Sequence, residues 1–429
     1  MYYILTLGLI VLLALGIPVG KALIISGLAG YIVNIGSVSA WVNAGVISQK
    51  MTYSLMNFLL LTIPLFILAA KVMNGSSITK KIFDFANTSV GFLPGGLAHA
   101  NIFASLLFAG MSGAAVSDAA GLGRIEIESM KSNGYDAEFS AAVTAASSTI
   151  GPIFPPSVPM VVYSTISGVS VGKLFLGGVV PGILMTVTMM IMVVIYARKR
   201  NYPRMPFPTP KALWVSFKQA VLALLTPVIL LAGIWTGVFT PTESAVIAAA
   251  YALLVSFFVY KELNLKTLFT ILKETARDTA GIGIVIAAAA FYGWVLARSG
   301  LTYQFAQWIG GVTQSPIIFL LIINVFFLIV GCFLEAIAAI MIFGPILYAP
   351  AIALGVDPLQ FGVVMVLNLM IGLLTPPFGI VLFITQNLAG ISFQKMVKAI
   401  LPFFIPLLTV LLLMTFFPQI VTWLPNLMQ

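Results

Sequence analysis

Long apolar runs separated by short polar or basic punctuation make up almost the whole chain, the pattern of helices that cross a bilayer. Stretches of spanning length fall at 2–16, 18–35, 52–73, 135–165, 174–197, 219–237, 241–260, 278–298, 356–388 and 399–424. Two further segments, 97–129 and 314–353, carry polar or Gly-rich residues at their centres and are read either as single unusual spans or as hairpins. Basic amphipathic stretches at 214–225 (WVSFKQAVLALL) and 265–278 (LKTLFTILKETARD) have the pattern of helices lying at the membrane surface. Two of the spans are interrupted: 150–157 reads IGPIFPPS and 371–378 reads IGLLTPPF, the same Gly-x-x-x-Pro-Pro break 221 positions apart.

Composition agrees with this pattern, since 60% of the 429 residues are hydrophobic and 8% are charged. The expectation is an all-α polytopic membrane protein embedded in a lipid bilayer. The opening MYYILTLGLIVLLALGIPVG lacks a charged n-region and an Ala-x-Ala site, so it is read as the first span. A single cysteine, Cys332, and a single histidine, His99, exclude a disulfide and any multi-His or multi-Cys metal site. Neither HExxH nor a Walker A sequence occurs, which removes zinc proteolysis and ATP coupling, and no organic cofactor is expected. In a chain this apolar, the net charge of +9 marks cytoplasmic loops rather than nucleic-acid binding.

An internal repeat organises the chain. At the offset of 221, Gly110 pairs with Gly331, Gly123 with Gly344, Gly134 with Gly355, Asp136 with Asp357, Ile150-Gly151 with Ile371-Gly372 and Pro155-Pro156 with Pro376-Pro377. With one residue inserted, GVSVGK at 168–173 answers GISFQK at 390–395. The first repeat is 1–200, with scaffold helices 1–73, hairpin 97–129, broken helix 135–165 and closing helix 174–197. A cytoplasmic linker and the start of an interfacial helix occupy 201–218. The second repeat is 219–429, with scaffold helices 219–298, hairpin 314–353, broken helix 356–388 and closing helix 399–424.

If both hairpins are re-entrant, each half crosses five times, an odd number, and the halves are inverted. That count places all of the 21 Lys and Arg except Lys50, Lys173 and Arg298 on one face, a strong positive-inside bias. The basic face is then cytoplasmic and both termini lie on the opposite side.

A Gly-Pro-Pro break at membrane depth must be buried in protein or line a cavity, because lipid cannot satisfy freed backbone groups. The carbonyls released by Pro155, Pro156, Pro376 and Pro377, with hydroxyls nearby, offer oxygen cages for a hard cation such as Na⁺, and inward-pointing half-helix N-termini attract an anion. The hairpin centres supply the rest: GMSGAAVSDAAGLG at 110–123 sets Ser112, Ser117 and Asp118 among small residues, and GCFLEAIAAIMIFG at 331–344 offers Cys332 and Glu335. Acids in such surroundings mark function by default, although pairing with Arg124 or capping a helix start is an equally sound structural role.

GMSGAAVSDAAGLG, SSTIGPIFPPSVPMVVYS at 147–164, TPTESA at 240–245 and GLLTPPFGIVLF at 372–383 together resemble the large membrane subunit of TRAP, the tripartite ATP-independent periplasmic transporters. The resemblance covers essentially the whole chain. It implies an elevator-type secondary transporter of the ion transporter superfamily, driven by a Na⁺ gradient in the bacterial inner membrane. It also implies import of an organic acid, sialic acid ahead of C4-dicarboxylates, handed over by a periplasmic substrate-binding protein. A small four-helix membrane subunit would be the second partner.

Carried over by position, Ser112, Gly113, Ser148, Thr149, Gly151 and Pro155 would form one sodium site, and Gly331, Glu335, Gly372, Thr375 and Pro376 the other. Related superfamily members carry Ser-Asn-Thr at both tips. This chain has Ser-Gly-Ala at one and no hydroxyl at the other, so the second site would rest more on backbone carbonyls and Thr375. Substrate would lie between the tips, near Ser112, Ser117, Asp118, Ser157 and Asn368. Glu243 is read as favouring a helix N-terminus and His99 as a residue at the start of the first hairpin. Two rival classes remain at this point: a membrane-embedded enzyme using Asp118 and Glu335 as paired acids, for which the repeat gives no reason, and a channel, which needs a continuous polar path.

Overall fold

A computed structural model of the protein describes residues 2–35, 44–74 and 77–427, which are helical with no strand among them. Among the described residues, six helices are long and apolar enough to cross a membrane, or seven if the bent pair Gly45–Leu55 and Phe58–Asn74 is one span. The remaining apolar helices are shorter because the chain is cut at the places the sequence marks, so that neither piece of a broken helix reaches across alone.

The first hairpin descends as Gly96–Ser112 and returns as Ala115–Ala120 and Leu122–Ser132; the second descends as Pro316–Gly331 and returns as Ala336–Ala353. Segment 135–165 divides into Ala137–Ser148 and Val158–Ser167, and segment 356–388 into Pro358–Gly372 and Ile380–Ala389. The order hairpin, broken helix, long closing helix therefore occurs in each half. Gly134 and Gly355, the paired glycines ahead of the broken helices, adopt the left-handed turn that glycine enters without a Cβ clash, at φ 85° and 81°. Asp357 caps its helix by accepting from Leu359 N at 2.8 Å and Gln360 N at 3.1 Å. Asp136 instead accepts from Arg200 Nη1 and Tyr202 Oη, each at 2.5 Å, which ties the helix start to the linker and holds its carboxyl below the usual range.

Several boundaries differ from the sequence reading. The span expected at 52–73 begins at Ala44 and turns through 58° before Phe58. The stretches 214–225 and 265–278 are not separate surface helices; they belong to the continuous helices Pro210–Trp235 and Leu265–Ser299, which run on through Pro227 and through Gly281 and Gly283. Helices Ile78–Val90 and Leu301–Val312 join scaffold to hairpin in each half and were hidden by their mixed polarity. The last span begins at Phe393 and ends at Phe416, ahead of Pro418. Thr240 and Glu243 form a reciprocal capping box, with Glu243 Oε2 accepting from Thr240 N at 2.8 Å, which accounts for Glu243 as expected. His99 lies in the first turn of the first hairpin, its Nε2–H donating to Pro94 O at 3.1 Å.

Packing holds the hairpins onto the broken helices through matched polar pairs. Ser147 Oγ donates to Asn101 Oδ1 at 2.7 Å in the first half, and Asn368 Nδ2 donates to Asn324 Oδ1 at 2.8 Å in the second. Ser147 and Asn368 are partners at the 221 offset. Each pair fixes the depth of its hairpin, since a one-turn slip would strand buried polar groups at a cost of about 1–3 kcal/mol apiece. The return arm of the first hairpin packs on Ile380–Ala389, and that of the second on Val158–Ser167, so the halves interlock. At the back of the first break, a Cβ on Gly178 of the closing helix would lie 2.0 Å from Ile153 O. Gly178→Ala should therefore lower the melting temperature of the purified protein by several degrees, through about 1–3 kcal/mol of overpacking. Gly293→Ala, with no atom within 4 Å, should leave it unchanged or slightly raised. Equal melting curves for the two variants would contradict this packing.

Candidate functional site between the hairpin tips

The first tip is built on a left-handed glycine. Helix Gly96–Ser112 stops at Gly113, φ 62°, and the chain restarts at Ala115. A Cβ on Gly113 would lie 2.6 Å from Pro156 O, so the tip rests backbone to backbone on the first break. Gly113 O also accepts from Val158 N at 3.4 Å. Ser112 donates its hydroxyl to Asp118 Oδ1. The second oxygen, Oδ2, is buried without a hydrogen-bond partner and lies against the break, where a Cβ on Gly151 would meet it at 2.7 Å and Ser148 O at 3.3 Å. Ser112, Gly113, Asp118, Ser148, Gly151 and Pro156 are thus brought together. A carboxylate oxygen so placed needs a proton or a cation beside it, because a buried charge left alone is strongly destabilising. Ser148 and Thr149 donate their hydroxyls to Ala145 O and Ala146 O at 2.8 and 2.6 Å, which leaves oxygen lone pairs to present to a cation.

In the second half the tip and break also meet through glycine, a Cβ on Gly372 lying 2.5 Å from Gly331 Cα. Glu335 is the cap of Ala336–Ala353, its Oε2 accepting from Ile337 N at 3.0 Å and Ala338 N at 3.4 Å. Cys332 donates to Leu328 O at 3.1 Å and Thr375 Oγ1 to Ile371 O at 2.9 Å. The two breaks differ in cover. Around Pro155 the chain is almost wholly buried, whereas Pro377 and Phe378 are exposed and Phe378 meets the tip residue Phe333 edge to face at 5.9 Å.

A cavity of about 820 Å³ lies between the tips, lined on one side by Ser112, Gly113, Ser117, Pro152 and Val158 and on the other by Glu335, Ile337, Met370 and Leu373. Of the residues expected near substrate, Ser112 and Ser117 reach it and Asp118 lies behind Ser112. Ser157 does not; it caps Val158–Ser167 by accepting from Met160 N at 3.3 Å and donates to Pro152 O at 2.5 Å. Asn368 is fully buried in its pairing with Asn324, away from the cavity. The third wall comes from the scaffold, which sequence reasoning did not place here: Lys71 and Asn74 of helix Thr62–Asn74, and Thr267, Thr270, Glu274 and Asp278 of helix Leu265–Ser299. Lys71 bonds Glu274 at 3.1 Å and Asp278 at 2.9 Å, and Asn74 Nδ2 donates to Ser117 Oγ at 3.2 Å across to the first tip. The available signal was the four-residue spacing of Glu274 and Asp278, which sets both acids on one helical face. Glu126, buried in the first hairpin's return arm and close enough to Asp118 to interact, was likewise unnoticed.

This arrangement has relatives. The family model described as "Tripartite ATP-independent periplasmic transporter, DctM component" matches residues 6–420. The sialic acid TRAP transporter large permease protein SiaM of Vibrio cholerae is 42% identical over 98% of this chain and 97% of its own. The sialic acid TRAP transporter permease protein SiaT of Haemophilus influenzae is also 42% identical, over 99% of this chain and 68% of its own length. The C4-dicarboxylate TRAP transporter large permease protein DctM of Pseudomonas aeruginosa is 38% identical over 86% of this chain and 87% of its own. Among solved structures, the Alcanivorax borkumensis YdaH transporter superposes with a TM-score of 0.61 at 16% identity, covering 88% of both chains, a likeness of fold alone. From the match along nearly its full length, the chain belongs to the DctM family, the large permease component of tripartite ATP-independent periplasmic transporters.

Proposed function

We propose that this permease imports an organic acid by Na⁺-coupled secondary transport, moving the paired hairpins and broken helices as one body against the scaffold in an elevator cycle. The observation that carries the reading is the 820 Å³ cavity between two hairpin tips, each seated on a helix break, in a chain of this family. Substrate occupies the cavity between Ser112 and Ser117 on one side and Ile337, Met370 and Leu373 on the other. One Na⁺ sits behind Ser112, among the first break and the second carboxylate oxygen of Asp118, which moves Asp118 from the substrate to the cation. The other sits between Gly331 and Gly372, with Thr375 as its side-chain oxygen.

The halves are inverted repeats in the inner membrane with both termini periplasmic, a small membrane subunit bracing the scaffold and a periplasmic binding protein delivering substrate. Sialic acid comes first among substrates to test because identity to its permeases, 42%, exceeds the 38% to a C4-dicarboxylate permease. Lys71, and Lys266 next to the lining residue Thr267, belong to the face read as cytoplasmic, which supports a cavity open in the release half of the cycle.

Uptake of labelled sialic acid and succinate into vesicles holding this chain, the small subunit and the binding protein is expected to rise on imposing an inward Na⁺ gradient. Equal uptake with K⁺ would end the coupling proposal. Removing single oxygens then separates the cation sites. Thr375→Val and Asp118→Asn should each raise the Na⁺ concentration for half-maximal uptake, by roughly 5- to 150-fold for a lost interaction of about 1–3 kcal/mol. Saturating Na⁺ should restore much of the rate. Phe154→Leu, at the repeat position of Thr375, should leave Na⁺ dependence unchanged; an unshifted half-saturation point in folded Thr375→Val would remove that residue from its site. Orientation is checked by single cysteines: Gln314→Cys, on an exposed position before the second hairpin, should label from outside, and Ser132→Cys, on an exposed position after the first, should not. Labelling of both from one side would overturn the inverted arrangement.

A further inference from the structure

The scaffold wall of the cavity carries an ion cluster of unequal sign. Among the described residues that line the cavity, Lys71 is the sole cation, and it stands beside two acids, Glu274 and Asp278. The acids are about half exposed, with side chains 56% and 49% accessible, while the Lys71 side chain is 23% accessible. Lys71 lies three residues before Asn74, so both project from one face of their helix, and Asn74 touches Ser117 of the first tip at 3.2 Å. The ammonium is therefore carried on the scaffold face that meets the moving tip. An ammonium has three donors, and two of them are met by the carboxylates.

We propose that Lys71 is a specificity-determining contact for the carboxylate of the substrate, and that Glu274 and Asp278 are resident counter-ions competing for it. This rests on the organic-acid reading of the cavity. The competition makes the site weak in the state seen here: an incoming carboxylate gains the third donor but faces two negative neighbours. Such a site admits an acid, rejects its neutral ester and lets the acid go readily. Loose binding in a release-facing state is what import requires, because tight binding there would slow turnover. Ser117 and the opposite wall at Ile337, Met370 and Leu373 hold the remainder of the molecule, so the scaffold charge acts on discrimination between acid and ester more than on shape.

Equilibrium binding of labelled sialic acid and of its methyl ester is measured on the permease with its small subunit in nanodiscs, at saturating Na⁺ and without binding protein. Three proteins are compared: the wild type, Glu274→Gln/Asp278→Asn, and Lys71→Gln/Glu274→Gln/Asp278→Asn. The double variant should bind the acid roughly tenfold tighter than the wild type, and the triple variant roughly tenfold weaker than the wild type, as expected for one charged contact. Ester binding should be the same in all three. The triple change removes both signs together and leaves no unpaired charge, so a merely structural ion pair predicts near-wild-type acid binding in it. A triple variant that binds the acid as tightly as the double overturns the role of Lys71. If the triple variant fails to fold, the double variant decides, and acid binding no tighter than wild type overturns the competition. A wild type that binds neither sialic acid nor succinate fails the organic-acid reading itself, an outcome distinct from a wild type that binds the acid and variants that do not differ.

Discussion

Backbone hydrogen bonding is the constraint on which this structure depends. A helix interrupted in a bilayer exposes N–H and C=O groups that lipid cannot satisfy, and this chain interrupts two helices at mid-length. The fold answers by laying a glycine-bearing hairpin tip directly on each break, Gly113 on Pro156 and Gly331 on Gly372. Larger side chains at these four points of approach would separate backbone from backbone. The cover that makes the breaks tolerable also brings the Asp118 carboxyl against the first break.

Around this centre the chain separates rigid support from a wet interior. The matched bonds Asn101–Ser147 and Asn324–Asn368 hold the hairpins in register with the broken helices, and at the cavity Asn74 meets Ser117 of the first tip. The two halves are not equivalent at the site. The first break is buried and faces the Asp118 carboxyl, and the second is partly open and carries the Thr375 hydroxyl, which donates to Ile371 O.

Much of this was legible in the sequence because the informative residues are those whose backbone behaviour is unusual. Gly and Pro at a fixed offset of 221 disclosed the breaks and the family resemblance, and each of the four segments is divided into shorter helices. Polar side chains were harder to place. Asn368 resembled a ligand from its position, yet its amide completes a bond to Asn324, a partner whose facing direction no one-dimensional pattern discloses. Ser157 was a helix cap ahead of proline, a role its position before Val158-Pro159 already allowed. Lys71, Glu274 and Asp278 were missed for the opposite reason. Lys71 lies at the end of a segment read as a spanning scaffold helix and the two acids lie in a stretch read as membrane surface, and only tertiary packing brings the two helices to a common wall.

The interlock between halves carries a consequence for biosynthesis. The first hairpin's return arm rests on Ile380–Ala389, and the second hairpin's on Val158–Ser167, so each half completes a surface of the other. A ribosome delivers the first half well before Ile380 emerges. Until then, the nascent first hairpin has no permanent neighbour on that side, and insertion machinery or surrounding lipid must hold it in its place. The first half therefore cannot finish assembling until the second half has been translated.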